Sequence, residues 1–299
     1  MARQNVRGET VGDAYLELLA DRGVDYLFGN AGTDFASIIE AFSKAALGEI
    51  KAPEPVTVPH ENVAVAMAHG YYLATGRPQA VMLHVSVGTA NGICGIFNAS
   101  RENVPILFTA GRTPLTEGAS PGARSIYIHW AQEMFDQAGM VREMVKWDYE
   151  LRNADQLETV VDRALEIAMS APRGPIYLTL PREILAAPAD GLSFETPARH
   201  APAAAPGPDP AAIDQAAAWL GAAENPLIIT SSFGQKADDV AVLADFAQRY
   251  ALPVVCYRPR YLCLPNDHDM HVGFEVGAFV TDADVILTVD CDVPWIPAL

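Results

Sequence analysis

AVMLHVSVGTANG, residues 80–92, joins a short apolar run at 80–85 to a glycine-rich stretch at 88–92. A segment of helical length follows at residues 90–100. An apolar run of this length bounded by a glycine-rich turn is typical of a buried strand that leads into a helix. The stretch therefore predicts one strand–turn–helix unit of an α/β protein.

The same alternation of short strands and helical segments continues on both sides of this unit. In residues 61–75, Ala64, Met67, Ala68 and Tyr71 fall at i, i+3, i+4 and i+7, which is one face of a helix. Alternation of this kind predicts an α/β fold with a mostly parallel sheet flanked by helices. The predicted strands are Tyr26–Phe28, Val56–Val58, Ala80–Val85, Ile106–Thr109 and Ile176–Leu180. The predicted helices are 10–22, 34–46, 61–75, 90–100 and 155–170.

A proline- and alanine-rich stretch, residues 186–210, interrupts this pattern. Such a composition favours a semi-rigid connection, so we predict a domain at 1–185 and a second α/β domain at 211–299. Three strands are fewer than an open α/β sheet usually has, so the second domain is predicted to be partial. Its predicted elements are helix 210–222, strand Leu227–Thr230, helix 236–250, strand Pro253–Tyr257 and strand Val285–Val289.

The composition argues against several classes of function. The chain has 299 residues and a net charge of −17, which disfavours nucleic acid and anionic membranes as partners. No apolar run reaches the roughly 20 residues that span a bilayer, and the first ten residues lack the apolar segment of a signal peptide. The four cysteines show no CxxC pair and no zinc spacing, so we expect a cytoplasmic protein with reduced thiols.

Glu61, in the His60-Glu61-Asn62 sequence that opens the predicted helix 61–75, is a candidate acid–base residue. Taken alone, it is explained as a first-turn acid favoured by the helix dipole. The rest of the helix is apolar and small, so a carboxylate at its start must find a partner or hold a proton. A carboxylic acid in an apolar pocket can share a proton with a ring base.

The glycine-rich stretch Gly88-Thr89-Ala90-Asn91-Gly92 is a second candidate. A strand-to-helix turn of this kind leaves backbone N–H groups free to hold an anion. The sequence is neither a Walker A loop nor a GxGxxG fingerprint. A turn in which glycine permits close helix–strand packing explains it equally well.

The order of the motifs is more specific than any single motif. The chain resembles the pyrimidine-binding domain of the thiamine-diphosphate-dependent family that includes benzoylformate decarboxylase, pyruvate decarboxylase and acetolactate synthase. The resemblance covers most of residues 10–185 and is strongest to benzoylformate decarboxylase, through GNAGT at 29–33 and LHVSVGTAN at 83–91. The motifs are FGNAGT (28–33), HENVAVAMAHGYYLATGRP (60–78), LHVSVGTANG (83–92), FNASRENVPILFTAGR (97–112), VKWDYEL (145–151) and GPIYLTLPREIL (174–185).

The resemblance implies roles for individual residues. Glu61 takes the position of the glutamate that hydrogen-bonds the cofactor's aminopyrimidine ring and so promotes ylid formation at the thiazolium. His84 takes the position of a histidine that handles protons on the substrate-derived intermediate, and Thr33 that of a serine near the substrate carboxylate. The residues expected to bind the cofactor or shape its site are Glu61, Gly32, Gly88 and Asn91.

Other residues are weaker candidates. Gln132, in HWAQE at 129–133, falls in a region that lies near the active site of acetolactate synthase-like relatives, although a helix start explains it equally well. For His268 and His271, in the sequence HDMHVGFE, a plain loop is favoured over an active-site role. His69, within the predicted helix, is expected to serve packing or lie at the surface.

The resemblance also implies what these residues do not supply. In the family, the diphosphate and its Mg²⁺ are bound by a C-terminal domain with a Gly-Asp-Gly motif and an asparagine further on. The 299 residues contain no such motif, and Asp290-Cys291-Asp292 lacks its glycines. We therefore expect no metal ligands here, and no activity without a diphosphate-binding domain from another subunit or chain.

The implied function is thiamine-diphosphate-dependent decarboxylation of a 2-oxo acid, through an ylid and a carbanion or enamine, in a homodimer or tetramer. One alternative is an acetolactate synthase-like carboligase. Another is a non-catalytic cofactor-binding or regulatory subunit. Some relatives bind FAD in the second domain, but no fingerprint for a flavin is visible in this sequence.

Overall fold

The computed structural model describes residues 2–297 and divides the chain into two compact units. The N-terminal unit is Met1–Ala205 and the C-terminal unit is Pro206–Leu299. The division falls inside the proline-rich stretch 186–210, where the composition predicts a connection between domains.

Strands and helices alternate along the N-terminal unit. Its strands are β1 (Ala2–Asn5), β2 (Tyr26–Asn30), β3 (Glu54–Thr57), β4 (Gln79–Leu83), β5 (Ile106–Arg112), β6 (Asp148–Glu150), β7 (Ile176–Pro181) and β8 (Ser193–Thr196). Its α-helices are α1 (Val11–Asp21), α2 (Ala36–Ala46), α3 (Glu61–Thr75), α4 (Val85–Arg101), α5 (Ile128–Ala131), α6 (Leu157–Met169) and α7 (Arg182–Leu185). Single 3₁₀ turns span Thr33–Phe35, Ala138–Met140 and Ala154–Gln156.

Six of these strands form a parallel sheet in the order β3-β2-β4-β5-β7-β6. The α/β fold with a mostly parallel sheet flanked by helices is thus confirmed. The pair β1–β8 is antiparallel and stands apart from this sheet. The sequence did not predict β1, β6 or β8, because these short strands (ARQN, DYE and SFET) are mostly polar and contain no apolar run.

Both faces of the parallel sheet are buried, as the side chains of β4 show. Ala80 and Met82 belong to a core shared with α1, α2 and α6, whereas Val81 and Leu83 belong to a core shared with α3 and α4. All five residues of β4 are buried. A parallel strand covered by helices on both faces reads as a continuous apolar run, which is why AVML identified it.

The helix α3 buries a face close to the predicted one. Ala64 and Ala68 are fully buried as predicted, and Val65 and Tyr72 complete the face. Met67, which was predicted to lie on it, is 40% exposed. Small residues spaced four apart allow α3 to approach its neighbours closely, so the buried stripe follows them and not the larger methionine.

Two predicted boundaries are corrected by the structure. The strand predicted at 80–85 ends at Leu83, and the helix predicted at 90–100 already begins at Val85, so GTANG lies inside α4. The first part of the predicted linker 186–210 belongs to the N-terminal unit, because β8 pairs with β1 and Phe194 is buried in the core. Short polar segments such as SFET give no sequence signal that distinguishes them from a linker.

The C-terminal unit is a smaller α/β sheet. Its four parallel strands lie in the order β11-β10-β9-β12, with one more strand than the sequence predicted. Buried residues form one core on each face of this sheet. Its elements are α8 (Pro210–Ala222), β9 (Pro226–Thr230), a 3₁₀ turn at Phe233–Gln235, α9 (Ala237–Tyr250), β10 (Val254–Cys256), β11 (His271–Gly273), α10 (Gly277–Val280) and β12 (Val285–Val289).

A glycine in α4 permits the close packing of α3 and α4. A Cβ added at Gly95 would lie 2.8 Å from the Cβ of Val65, and the Gly95 N–H donates to Asn62 Oδ1 at 2.9 Å. The Cβ of Val65 is fixed to the backbone and cannot rotate away. The hydrogen bond from Gly95 to Asn62 also fixes the start of α3.

Gly95→Ala should destabilise the N-terminal unit by about 1–3 kcal/mol, the usual cost of overpacking a core. Gly70→Ala in α3 is the matched control, because a Cβ there meets nothing within 4 Å. It should stabilise the unit by up to about 1 kcal/mol through helix propensity. Native-state hydrogen exchange of the β4 and β5 amides measures both changes, and stabilisation by both variants would contradict the close approach of the helices.

Candidate active site

Four neighbouring strands, β3, β2, β4 and β5, place the candidate residues at one edge of the sheet. Asn30, the last residue of β2, pairs with Leu83 of β4, and Leu83 pairs with Ala110 of β5. The segment after β3 stays aligned because the Val58 N–H donates to the Gly29 carbonyl at 3.0 Å. Ligands of open α/β sheets bind at the carboxyl ends of the strands, so this edge is the expected site.

Glu61 is the first residue of α3. The preceding His60 is the N-cap, and its Nδ1 accepts a hydrogen bond from the Asn62 N–H at 3.1 Å. Glu61 is only 9% exposed, yet among residues 2–297 its carboxylate accepts no hydrogen bond and has one charged contact, His60 Nδ1 at 3.8 Å. The side chain is mostly buried but its oxygens are not fully enclosed, so a group that binds beside α3 can reach them.

His84 follows β4 directly and pairs with a carboxylate that the sequence did not single out. Its Nδ1 lies 2.5 Å from Asp34 Oδ1, and the other carboxylate oxygen accepts the Val85 N–H at 3.2 Å. Asp34 is 2% exposed. The hydrogen bond to Asp34 raises the pKa of His84, against the effect of burial, and the Asp34 and Glu61 charges raise that pKa further.

Two glycines leave the space that the Asp34–His84 pair occupies. A Cβ added at Gly32 would lie 2.1 Å from His84 Nδ1, and a Cβ added at Gly111 would lie 1.8 Å from Asp34 Oδ2. Any side chain at either position would displace the pair. Gly32 was predicted as a cofactor-binding residue, and the structure shows it in contact with the histidine ring.

Backbone strain lies next to this pair. Val85 has a φ of 37°, in the left-handed region that β-branched residues rarely adopt. Its N–H donates to Asp34, and the Gly88 N–H donates to the His84 carbonyl at 2.7 Å. Strained conformations persist only where the surroundings fix them, and they concentrate at functional sites.

Gln132 contacts the other nitrogen of His84. The Gln132 side-chain Nε2 lies 3.2 Å from His84 Nε2, and the Gln132 carbonyl accepts the Ser86 hydroxyl at 2.9 Å. The segment that carries Gln132 follows the short helix α5. The structure thus places this weaker candidate in direct contact with His84.

The remaining predicted residues lie at different distances from this cluster. Thr33 is exposed and directly precedes Asp34 in the 3₁₀ turn. Gly88 is buried against Leu83 within α4, and Asn91 is exposed on the same helix. The predicted turn with free N–H groups is wrong, because the Gly88 N–H is bonded within the helix. The cofactor roles of Gly88 and Asn91 stay predictions.

Asp34 is the main functional candidate that sequence reasoning missed. It follows Thr33 in an otherwise ordinary helix-initiating sequence, and 50 residues separate it from His84. Only the register of β2 against β4 brings the two side chains together. The only signal in the sequence was the position of Asp34, which comes soon after the end of β2. An acid in such a position can meet a histidine that follows the neighbouring strand.

The other histidines have separate partners. His69 Nε2 contacts Glu102 at 3.0 Å, which links α3 to α4. His129 is buried against Arg182, at 3.1 Å, and burial followed by the Arg182 charge lowers its pKa. His268 and His271 lie in the C-terminal unit, where His268 Nδ1 accepts the Met270 N–H at 3.1 Å.

Within the described range 2–297, no three His, Cys, Asp or Glu side chains form a group that could hold a metal ion. In the same part of the chain, no helix combines the length and apolarity that crossing a bilayer requires.

Comparison with known proteins identifies a family that this chain resembles. Residues 9–140 match the family described as thiamine pyrophosphate enzyme, N-terminal TPP binding domain. The chain is 28% identical over 249 residues to benzoylformate decarboxylase of Pseudomonas aeruginosa, covering 82% of this chain and 43% of that protein. It is 28% identical over 282 residues to the acetolactate synthase isozyme 3 large subunit of Escherichia coli, covering 91% and 46%.

A solved structure shows the same fold over nearly the whole chain. It is described as that of a thiamin diphosphate-dependent enzyme from Mycobacterium smegmatis, with a TM-score of 0.78 and 27% identity over 97% of this chain and 54% of that one. By this match, residues 9–140 are an N-terminal TPP binding domain of the thiamine pyrophosphate enzyme family, and the chain as a whole is similar to thiamine-diphosphate-dependent enzymes. It spans about half the length of the curated relatives that it matches.

The Asp34–His84 contact makes the stability of the N-terminal unit depend on pH. Because Asp34 raises the pKa of His84, the folded chain holds this proton more tightly than the unfolded chain. The added stability is complete below the ordinary value of 6.5 and is lost as pH rises through the folded-state pKa.

The stability difference between wild type and His84→Gln should therefore be constant just below pH 6.5 and shrink at higher pH. Hydrogen exchange of β4 and β5 amides at a series of pH values measures it. His69→Gln is the control variant, because His69 also contacts a carboxylate, that of Glu102, which is more exposed than that of Asp34. If the stability difference between wild type and His84→Gln instead grew with pH, the folded chain would favour the neutral form of the His84 imidazole.

Proposed function

We propose that this chain supplies the pyrimidine half of the active site of a thiamine-diphosphate-dependent enzyme that decarboxylates a 2-oxo acid. The observation that carries the proposal is Glu61, buried at the start of α3 without a hydrogen bond among residues 2–297. The match of residues 9–140 to a TPP-binding domain and the similarity to a benzoylformate decarboxylase support it.

The residues present fit the cofactor's aminopyrimidine. A carboxyl group in an apolar surrounding can share a proton with a ring nitrogen, and Glu61 has no competing partner of its own. The helices α3 and α4 are closely packed through Gly95, which fixes the start of α3, the helix that begins with Glu61. Glu61 would therefore hold the pyrimidine ring and its proton.

Thiamine diphosphate, when bound, supplies an electron sink for cleavage of the carbon–carbon bond beside the substrate carboxylate. His84 would give and take protons at its Nε2, because its Nδ1 is occupied by Asp34. Thr33, exposed beside Asp34, has a hydroxyl that could bind the substrate carboxylate. Gln132 would restrict the orientation of the His84 ring.

A second candidate reaction is carboligation of the acetolactate synthase kind. The similarity to acetolactate synthase large subunits, which reaches 28% identity over 91% of the chain, favours it. Product analysis with pyruvate as sole substrate separates the two, because a decarboxylase releases an aldehyde and a carboligase a longer hydroxy-oxo acid.

We further propose that the active enzyme is a homodimer or tetramer in which another domain binds the diphosphate and its Mg²⁺. The helices α3 and α4 carry exposed apolar side chains, among them Met67, 40% exposed, and Phe97, 46% exposed. Apolar side chains grouped on neighbouring helices are typical of a protein interface. They support association of this face with a second subunit.

In the enzyme assembled with a diphosphate-binding domain, Glu61→Gln should lower turnover by on the order of 10²–10⁴-fold, as expected for a general acid–base group. Exchange of the cofactor's C2 proton, followed by NMR, should fall with it. His84→Ala should slow turnover while C2 exchange is preserved, because His84 acts after cofactor activation.

His69→Ala is the control for both variants, since His69 contacts only Glu102 among the described groups. Circular dichroism and cofactor binding must match wild type in each case. Unchanged C2 exchange in Glu61→Gln would remove Glu61 from the mechanism, and wild-type turnover in His84→Ala would make His84 a structural residue.

The 299-residue chain by itself should bind thiamine diphosphate weakly. The diphosphate and Mg²⁺ are the most strongly charged part of the complex, and the sequence contains no Gly-Asp-Gly motif to hold them. Isothermal titration calorimetry with and without Mg²⁺ tests this expectation. Tight, magnesium-dependent binding to the chain alone would contradict it.

A further inference from the structure

We propose that Asp34 is a positioning residue that holds a proton on His84 Nδ1 and so makes Nε2 the atom that exchanges protons with the substrate. This inference rests on the proposed function, because it assigns His84 a role in that reaction. It concerns a residue that lies outside the sequence motifs and to which the sequence analysis assigns no role.

The geometry leaves Asp34 little freedom. Its two oxygens are each used, one on His84 Nδ1 at 2.5 Å and one on the Val85 N–H at 3.2 Å. The residue is 2% exposed, so water cannot replace either contact. Gly32 and Gly111 lie tightly against the pair, since a Cβ added at either residue would collide with it.

Hydrogen-bond chemistry then determines where the imidazole proton lies. An ionised carboxylate accepts hydrogen bonds and cannot donate them, so the Nδ1 facing Asp34 must carry a proton. A neutral His84 is therefore the Nδ1–H tautomer, with a free lone pair on Nε2. A charged His84 carries a second proton, and that proton is on Nε2.

Gln132 serves both protonation states. With His84 neutral, the Gln132 amide donates to Nε2 across the observed 3.2 Å. With His84 charged, a half-turn of the amide places Oε1 there as an acceptor, and Oε1 is otherwise buried without a partner. Either orientation makes one hydrogen bond to the ring, so the amide can follow the proton at little cost.

The other charged groups around His84 act in known directions. Glu61 on α3 is near enough for its charge to raise the pKa of His84 alongside Asp34, whereas burial lowers that pKa. His129 on α5 interacts with His84, but burial and the Arg182 and Arg124 charges lower its own pKa and favour its neutral form. The two carboxylates, Asp34 and Glu61, therefore favour the proton on His84.

The test is NMR of the 299-residue chain with histidine labelled by ¹³C and ¹⁵N, with His84 assigned by its loss in His84→Gln. In wild type, ring nitrogen shifts should show neutral His84 as the Nδ1–H tautomer, and its titration midpoint should lie above the ordinary 6.5. In Asp34→Asn the midpoint should move to lower pH. Asp136→Asn, a carboxylate paired with Arg142, should leave the His84 titration unchanged.

Neutral wild-type His84 protonated on Nε2 would overturn the inference, and this result is read from the wild-type chain, with His84→Gln used only to assign the signals. An Asp34→Asn chain with wild-type exchange protection but an unshifted His84 titration would overturn it as well. The measurement needs neither cofactor nor substrate. If the assembled enzyme fails to decarboxylate but His84 shows the Nδ1–H tautomer, the proposed function is refuted and the tautomer result stands. If the enzyme decarboxylates but His84 shows the Nε2–H tautomer, only this inference is refuted.

Discussion

Burial of both faces of the parallel sheet is the constraint on which the rest of the N-terminal unit depends. Side chains alternate between two cores along β4, so a slip of one residue would send Met82 and Leu83 into the wrong core. The register is therefore fixed, and with it the alignment of Asn30, Leu83 and Ala110. The candidate active site is a consequence of this alignment, because its side chains follow directly after the aligned strand ends.

That edge holds two acids in different surroundings. Asp34 is enclosed and fully paired, by His84 and the Val85 N–H, whereas Glu61 is buried without a hydrogen bond among the described residues. Packing of α3 holds the Glu61 side chain at this edge, and the Glu61 oxygens are not fully enclosed. The contact of Gly95 with Val65 contributes to that packing and holds the start of α3 in place. One sheet edge thus carries Glu61, a carboxylate without a hydrogen bond among the described residues, and Asp34, a carboxylate whose two oxygens are both hydrogen-bonded.

Sequence reasoning identified the fold and singled out Glu61 and His84 as candidate residues, and its limits have physical causes. The continuous apolar run AVML and the small apolar residues of the helix of Glu61 are typical of buried elements, so both elements were predicted within a few residues. The start of α4 was misplaced because Val85 adopts a left-handed φ that its residue type disfavours, while the later glycines are helical. Asp34 was missed because its significance depends on register, which one strand cannot reveal without its partner.

The different environments of Glu61 and His84 separate their chemistry. Pairs of titratable groups whose surroundings act in opposite ways identify which one holds a proton and which one awaits it. His84 has an acceptor fixed on Nδ1, so only Nε2 is free to change state, with Gln132 beside it. Glu61 has no hydrogen-bond partner among the described residues, and its carboxylate oxygens are open to a group that binds next to them. In the proposed reaction, Glu61 would act on the cofactor and His84 on the substrate, so the two residues would not compete for the same proton.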